Sequence, residues 1–281
     1  MSRVLAAVFA IQVFMVPSLW ANDTPCRPVP GLDELLSPGS VLLLGEAHGS
    51  AQAPAFVANA VCLAVAKGLP VEVGLEIHHE ETGAVEAYLD SAGADADRQA
   101  LLATPFWSRE YQDGRSSQAM TDLVESLRQY RSAGHAVEVM LFDARRYGAR
   151  QSRDEGMGKR LLEALEADSK SVHLALMGNV HSRVSQGVPW DSEFQPMGTF
   201  VIDGLRKRQV TALNMSCSPG STVWVCSGGP GTCGEKPWNG RGEGEEWHVT
   251  LHEGRAVKGG HHGVYHVGTL TPSRPAIHPE P

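Results

Sequence analysis

The sequence predicts an α/β fold: a mostly parallel central sheet with helices on both faces, plus a small loop-rich β appendage at the C-terminus. Three observations carry this. Between 40 and 217, short apolar runs alternate with longer amphipathic ones, the pattern of repeated strand–helix–strand units. The apolar runs are continuous rather than alternating, as in strands buried on both faces. From 218 onward the texture shifts to Gly, Pro, His and Trp, with only short β-like pieces.

The elements follow in order. Arg3 precedes an apolar run from Val4 to Val16, and Pro17 to Ala21 has the character of a cleavage region. Residues 1–21 therefore read as an export signal cleaved after Ala21, with a retained N-terminal anchor as the competing reading. The run is too short to cross a bilayer as a helix. Val41 to Leu44 is the first strand, and the Ala-rich segment 52–67 is a helix stopped by Gly68. Val71 to Ile77 is the second strand, followed by helices over 79–91 and 94–103. Residues 117–132 form an amphipathic helix closed by Gly134, and Ala136 to Phe142 the third strand. A helix over 153–167 and a strand from Val172 to Met177 come next. Residues 197–207 stay ambiguous: Phe200-Val201-Ile202 favours a strand, whereas the position between two strands favours a helix. Val210 to Cys217 is the fifth strand. Thr222–Cys226, Trp247–Leu251 and Gly263–Leu270 are the β pieces of the appendage. The organisation is thus a signal over 1–21, an α/β domain over 22–217 and an appendage over 218–281 packed on the same domain.

The chain has 281 residues and a formal net charge of -8, with 24 Lys+Arg against 32 Asp+Glu. That balance argues against nucleic acid as a partner and against docking on anionic lipid, since both need basic patches. No second segment is long enough to span a membrane, so no stable membrane anchor is expected once the signal is removed. The expected location is periplasmic or secreted. In an oxidising compartment the five cysteines read as structural bridges, with the odd one a free thiol or an intermolecular partner. Cys26 with Cys62 is the best candidate for tying down the N-terminal arm. Cys217 with Cys226 or Cys233 is the candidate within the appendage.

The chemistry concentrates at strand ends, where open parallel sheets place their binding crevice. Strand 1 ends Gly45-Glu46-Ala47-His48, strand 2 ends Glu76-Ile77-His78-His79, strand 3 ends at Asp143, and strand 4 ends Gly178-Asn179-Val180-His181. Two Gly-x-x-His exits facing one crevice would bring two imidazoles beside Glu46 and Glu76. Imidazole with carboxylate suits proton transfer from water. The same set, His48, His181, Glu46 and Glu76, would also suit a divalent metal. His181 lacks the adjacent acid that His48 has, because Asn179 stands in the place of Glu46; a polarising or ligand role is expected of it.

Other features carry less. Glu80, Glu81 and Glu86 read as a solvated face. Arg145, Arg146, Arg150 and Arg153 form a basic run that lines the cleft or covers a surface helix. Phe106, Trp107 and Tyr111 suit stacking on a flat ligand or core packing. His248, His252, His261, His262, His266 and His278 form either a metal patch or a polar tail.

Together, Leu43-Leu44-Gly45-Glu46-Ala47-His48, Gly74-Leu75-Glu76, Arg153-Asp154-x-x-Met157 and Gly178-Asn179-Val180-His181 resemble the erythromycin-esterase, ChaN and Tiki superfamily over roughly 40–217. Gly263-Val264-Tyr265-x-x-Gly268 resembles the closing strand of such domains. The resemblance implies an α/β fold with a largely parallel sheet. It implies a shared site at Glu46, His48, Glu76 and His181, with Arg153 on the esterases' basic position. Members are macrolactone hydrolases, metal-dependent proteases or haem-binding lipoproteins. The Tiki membrane anchor and the ChaN lipid-attachment cysteine are missing here.

The expectation is an exported hydrolase of an ester, lactone or amide, acting on a small-molecule or peptide substrate. His48 is its base, Glu46 and Glu76 orient the base or the water, His181 polarises the carbonyl or donates to the leaving group, and Arg153 holds an oxyanion. A divalent metal would be held by His48, His181 and a glutamate. The alternative is a haem- or iron-binding protein without catalysis, in which His78, His79 or Tyr111 ligate iron.

Overall fold

The computed structural model describes residues 26–147, 152–205 and 209–277. The expected signal over 1–21, Arg150 and His278 lie outside them. Six helices and nine strands are described. In chain order they are β1 (Val41–Glu46), α1 (Gln52–Ala66), β2 (Val71–His78), α2 (Thr82–Leu89), α3 (Asp95–Leu102), α4 (Gln118–Ser132), β3 (Val137–Asp143), α5 (Arg153–Ala167), β4 (Val172–Gly178), α6 (Met197–Gly204), β5 (Val210–Ser216), β6 (Thr222–Cys226), β7 (Cys233–Pro237), β8 (His248–Leu251) and β9 (Gly263–His266). The ambiguous segment 197–207 resolves as the helix α6. Residues 79–81 form a tight turn of 3-10 helix ahead of α2 rather than its first turn.

Seven strands make one sheet in the order β3-β2-β4-β1-β5-β9-β8. Every pairing is parallel except β8 with β9. All six residues of β1 and all seven of β4 are buried, which explains their unbroken apolar runs. Alternate side chains of β1 feed two cores. Leu42 and Leu44 pack with Phe56, Val57 and Val61 of α1 and Leu123, Val124 and Leu127 of α4. Val41 and Leu43 pack with Met157 and Leu161 of α5 and Met197 and Val201 of α6. A one-residue slip of β1 would exchange the two faces, so burial fixes its register.

The helix starts have local causes. The Ser117 hydroxyl accepts from the Met120 N–H at the head of α4, and the Ser152 hydroxyl accepts from the Glu155 N–H at the head of α5. The second cap matters for function, because it sets Arg153 and Asp154 in the first turn of α5.

The segment 218–277 divides. β6 and β7 form a separate antiparallel hairpin, whereas β9 and β8 extend the central sheet beyond β5. Tyr265 explains the extension: its ring is fully buried against Phe56, and its hydroxyl donates to the Gly45 carbonyl at 3.1 Å. Three of its histidines belong to neither a metal patch nor a solvated tail. His261, His262 and His266 are buried. The Ser182 hydroxyl meets His261 Nε2 at 2.8 Å, and His262 Nδ1 accepts the Ala212 N–H. Burial pushes the His261 imidazole down to about 4, so it is neutral at ordinary pH and serves as an acceptor. His266 stacks on His248 and reaches the Gly244 carbonyl.

Cys26 is bridged to Cys62, as expected. The second bridge is Cys226 to Cys233, not one to Cys217, because these two face each other across the β6–β7 pair. Cys217 is a buried free thiol. No described helix is long and apolar enough to cross a membrane. Thiol titration of the denatured, unreduced chain should therefore find one thiol. Cys62→Ala should lower stability by about 2–5 kcal/mol in denaturant unfolding, because the bridge closes a long loop. Two or more thiols, or an unchanged midpoint, would contradict this.

Candidate active site

The site begins with an excess of carboxylates at adjacent strand ends. Glu46 closes β1, Glu76 lies near the end of β2, and Asp143 closes β3. Between Leu75 and His78 the register slips, so three steps of β2 match two of β3. Such a bulge re-aims side chains at a strand end. Glu46, Glu76 and Asp143 are each at least 95 % buried. Buried carboxylates need compensation.

Two arginines supply it. Arg153 Nη2 donates to Glu76 Oε1 at 2.5 Å and to Asp143 Oδ2 at 2.6 Å, and its Nε to Asp143 Oδ1 at 3.2 Å. Arg115 Nη1 reaches the same two carboxylates at 3.3 and 2.9 Å, while its Nε and Nη2 grip Asp113. Burial alone would raise Glu76, but His48, His181 and the two guanidinium groups hold its carboxyl well below the usual range. Asp143 is likewise lowered: Arg153 outweighs burial. The Gly178 N–H also donates to Glu76 Oε2 at 2.7 Å. Glu76 is thus a fixed anion, not a proton carrier.

His48 closes the other side. Its Nδ1 lies 2.9 Å from Glu46 Oε1 and its Nε2 lies 3.5 Å from Glu76 Oε2. Burial would lower its pKa; Glu76 and then Glu46 override this and raise it. Burial also raises Glu46 itself, against the pull of His48. The ring keeps 22 % of its surface exposed, enough to meet a water or substrate. The ring sits over the backbone of Gly178: a Cβ there would stand 2.9 Å from Nε2. That is the physical need for glycine in the second Gly-x-x-His exit.

His181 differs from expectation. Its Nδ1 lies 2.7 Å from Asp154 Oδ1, and Arg153 Nη1 lies 2.8 Å from its Nε2. A guanidinium only donates, so Nε2 is the acceptor and Nδ1–H donates to Asp154. His181 therefore has an acid partner after all, supplied by the first turn of α5 instead of its own loop. With Nε2 engaged by Arg153, its task is to position that arginine, and it has no proton there to give a leaving group.

All five residues predicted for the site, Glu46, His48, Glu76, His181 and Arg153, join one chain of contacts. Arg115, Asp113 and Asp154 also belong to it but were not singled out by spacing. Arg115 lies on the loop before α4, where no periodicity marks it. The only signal is Gly114, whose positive φ (+96°) lets the loop lie on the Gly49 backbone, where a Cβ would come within 2.4 Å.

The same donor set does not fit a metal ion. Both Glu76 oxygens and His181 Nε2 already hold N–H donors, and two guanidinium groups stand where a cation would. Among the described residues no three His, Cys, Asp or Glu side chains form a metal-holding group. The haem-ligand expectation finds three separate environments. His78 packs edge-on against Phe106 with a buried, unpartnered Nδ1; His79 Nδ1 meets the Asp143 carbonyl and Glu80; Tyr111 is 40 % exposed. No described hydrogen bond or ring contact links Tyr111 to either histidine. Phe106 and Trp107 are fully buried and serve the core. Glu81 is not on a solvated face: it is buried and accepts the Phe106 N–H. Of the described residues of the basic run, only Arg153 enters the cluster, while the Arg145 N–H donates to Glu80 and its guanidinium lies 3.9 Å from Glu81.

No protein-family model matches the sequence, and no curated protein matches it. Solved structures do match. An erythromycin esterase, EreC, in a mutant form with an open conformation, aligns at a TM-score of 0.60 and 12% identity, over 86% of this chain and 93% of that one. The chain has the fold of an erythromycin esterase. A succinoglycan biosynthesis protein aligns at 0.60 and 8% identity, over 86% and 91%. A Bacillus cereus protein aligns at 0.58 and 11% identity, over 90% and 96%. The superfamily resemblance read from the strand ends therefore holds for the fold, and these identities carry it no further.

The electrostatics give a substrate-free test. The His48 ring resonances should titrate above the ordinary imidazole value of about 6.5 in NMR. Glu46→Gln should bring that midpoint down, since it removes one of the anions that hold the imidazolium. A midpoint at or below the ordinary value in the unaltered protein would refute the geometry described.

Proposed function

We propose that this protein hydrolyses an ester, lactone or amide, with His48 as the general base. The observation that carries the reading is the double carboxylate contact of a partly exposed imidazole, Glu46 on Nδ1 and Glu76 near Nε2. Glu46 accepts the Nδ1–H and holds the tautomer, so Nε2 is the nitrogen that takes a proton from water.

The oxygen of that water attacks the substrate carbonyl carbon as its proton moves to Nε2. The carbonyl π pair becomes an oxyanion. Arg153 spends four of its five N–H groups on protein partners, and so does Arg115. One N–H on each is left for the oxyanion, and both are fixed before substrate arrives, which is what makes such donors effective. On collapse the carbon–oxygen or carbon–nitrogen bond breaks, and the Nε2 proton passes to the leaving atom. Asp154 and His181 keep Arg153 in place. The two disulfides support a working place in an oxidising compartment, periplasmic or secreted.

A panel of 4-nitrophenyl esters and simple lactones tests the reading. His48→Ala should lose roughly a hundredfold or more of any turnover found while unfolding at the same temperature as the unaltered protein. Because the base must be unprotonated, kcat/KM should rise with pH through the raised His48 pKa. Glu46→Gln should move that limb to lower pH. Full activity in a folded His48→Ala variant would eliminate the mechanism.

A further inference from the structure

A cavity of about 280 Å³ opens at the carboxyl ends of β1, β4 and β5, beside the His48 cluster. Ala47 and Asn179 line it, each one residue from a member of the cluster, His48 and Gly178, together with Asn214 of β5 and Trp238, Asn239 and Arg241 from the loop after β7.

Its polar side chains behave oppositely to those of the cluster. Around His48 the ionic groups are engaged by protein partners, apart from one N–H on each of Arg153 and Arg115. In the cavity, the side chains of Asn179, Asn214, Asn239 and Arg241 have no hydrogen bond or ion pair with any described residue. Asn214 Oδ1 is buried and unpartnered. A buried polar atom without a partner costs stability, of order 1–3 kcal/mol, unless something else satisfies it. That argument marks Asn214; Asn179, Asn239 and Arg241, which water reaches, add three further polar side chains without a described protein partner around the same cavity.

We propose that this cavity is the recognition subsite for a carboxylated sugar ring, a uronate, joined to the scissile bond. The proposal rests on the hydrolase reading only for where that bond lies. Side-chain amides donate and accept at once, as sugar hydroxyls do, so three of them suit a ring of hydroxyls. Trp238 adds an apolar wall for the C–H face of such a ring. Arg241 is a single cation with a planar fork, matched to one carboxylate. A phosphate would call for more positive charge than this acidic chain gathers here. An extended peptide would need a free strand edge, and β5 is already paired on both sides, with β1 and β9. At about 30 Å³ per water, the cavity has room for about nine waters, the scale of one hexose-sized ring.

The test uses the full chain and ligand-observed NMR titration with methyl β-D-glucuronide, methyl β-D-glucoside and N-acetylglycine. Arg241 and Asn239 are exposed, so Arg241→Gln and Asn239→Ala leave the fold alone. The glucuronide should bind saturably and at least tenfold more tightly than the glucoside. Arg241→Gln should weaken the glucuronide at least tenfold and leave the glucoside unchanged. Asn239→Ala should weaken both sugars. His48→Ala should bind the glucuronide as the unaltered protein does. No saturable glucuronide binding, indifference to Arg241→Gln, or N-acetylglycine binding as tightly as the glucuronide would overturn the proposal. Failure of the hydrolase reading shows separately, as absent turnover with glucuronide binding intact.

Discussion

Two buried carboxylates, Glu76 and Asp143, sit at neighbouring strand ends and share the same two guanidinium groups. Either charge alone in that place would cost several kcal/mol, and neither could be removed singly without stranding the cations. Much of the surrounding architecture answers this one constraint. The bulge in β2 aims Glu76. The Ser152 cap begins α5 so that Arg153 arrives from its first turn. Asp154, on the next residue, anchors His181, and its Oδ1 also accepts the Met197 N–H at the head of α6. The cluster therefore ties four strands and two helices to one ionic centre.

Arg115 has the harder placement, because it comes from a loop. That loop is braced from outside by the β6–β7 hairpin. The Gln112 carbonyl accepts from Trp224 Nε1 at 3.0 Å, and the Gln112 side chain holds Ser116, Trp107 and Arg109. Gly49, in turn, lies between the Trp224 carbonyl and Gly114, with no room for a Cβ on either side. Hairpin, His48 turn and Arg115 loop are thus stacked backbone on backbone. The Cys226–Cys233 bridge spans the hairpin two residues from Trp224. Cys226 Sγ itself lies 3.4 Å from the Gln112 carbonyl, so the bridged hairpin packs directly on the loop that carries Arg115.

What the sequence revealed follows from which forces act locally. Continuous apolar runs exposed β1, β2 and β4, and the Gly-x-x-His exits exposed Glu46, His48 and His181, because strand geometry makes neighbours in sequence neighbours in space. The Cys26–Cys62 pair was legible from the position of Cys26 on the arm ahead of the first strand and of Cys62 on the first long helix. The partners that come from far along the chain were not. Asp154 is visible in the Arg153-Asp154-x-x-Met157 motif, but not as the acid of His181, which it reaches from a helix 27 residues earlier. Arg115 has no periodic signature at all. The Cys226–Cys233 bridge depends on the register of a hairpin, and the sheet membership of β9 on the burial of one tyrosine. None of these is encoded within a window of a few residues.

The two halves of the carboxyl edge are built on opposite principles, and this bears on how one fold can serve different substrates. Over β2, β3 and β4 the ionic groups are mutually satisfied, so their positions do not depend on what binds. Such preorganisation is what a reaction with a developing oxyanion requires. Over β1, β5 and the loop after β7, polar side chains have no described protein partner and are open to water or a ligand. Changing Asn239 or Arg241 disturbs no internal contact, whereas changing Arg153 disturbs four. On the hydrolase and subsite readings proposed above, recognition varies freely on this scaffold while the chemistry stays locked, and the boundary between the two runs along Ala47-His48 and Gly178-Asn179, a single peptide step apart in each case.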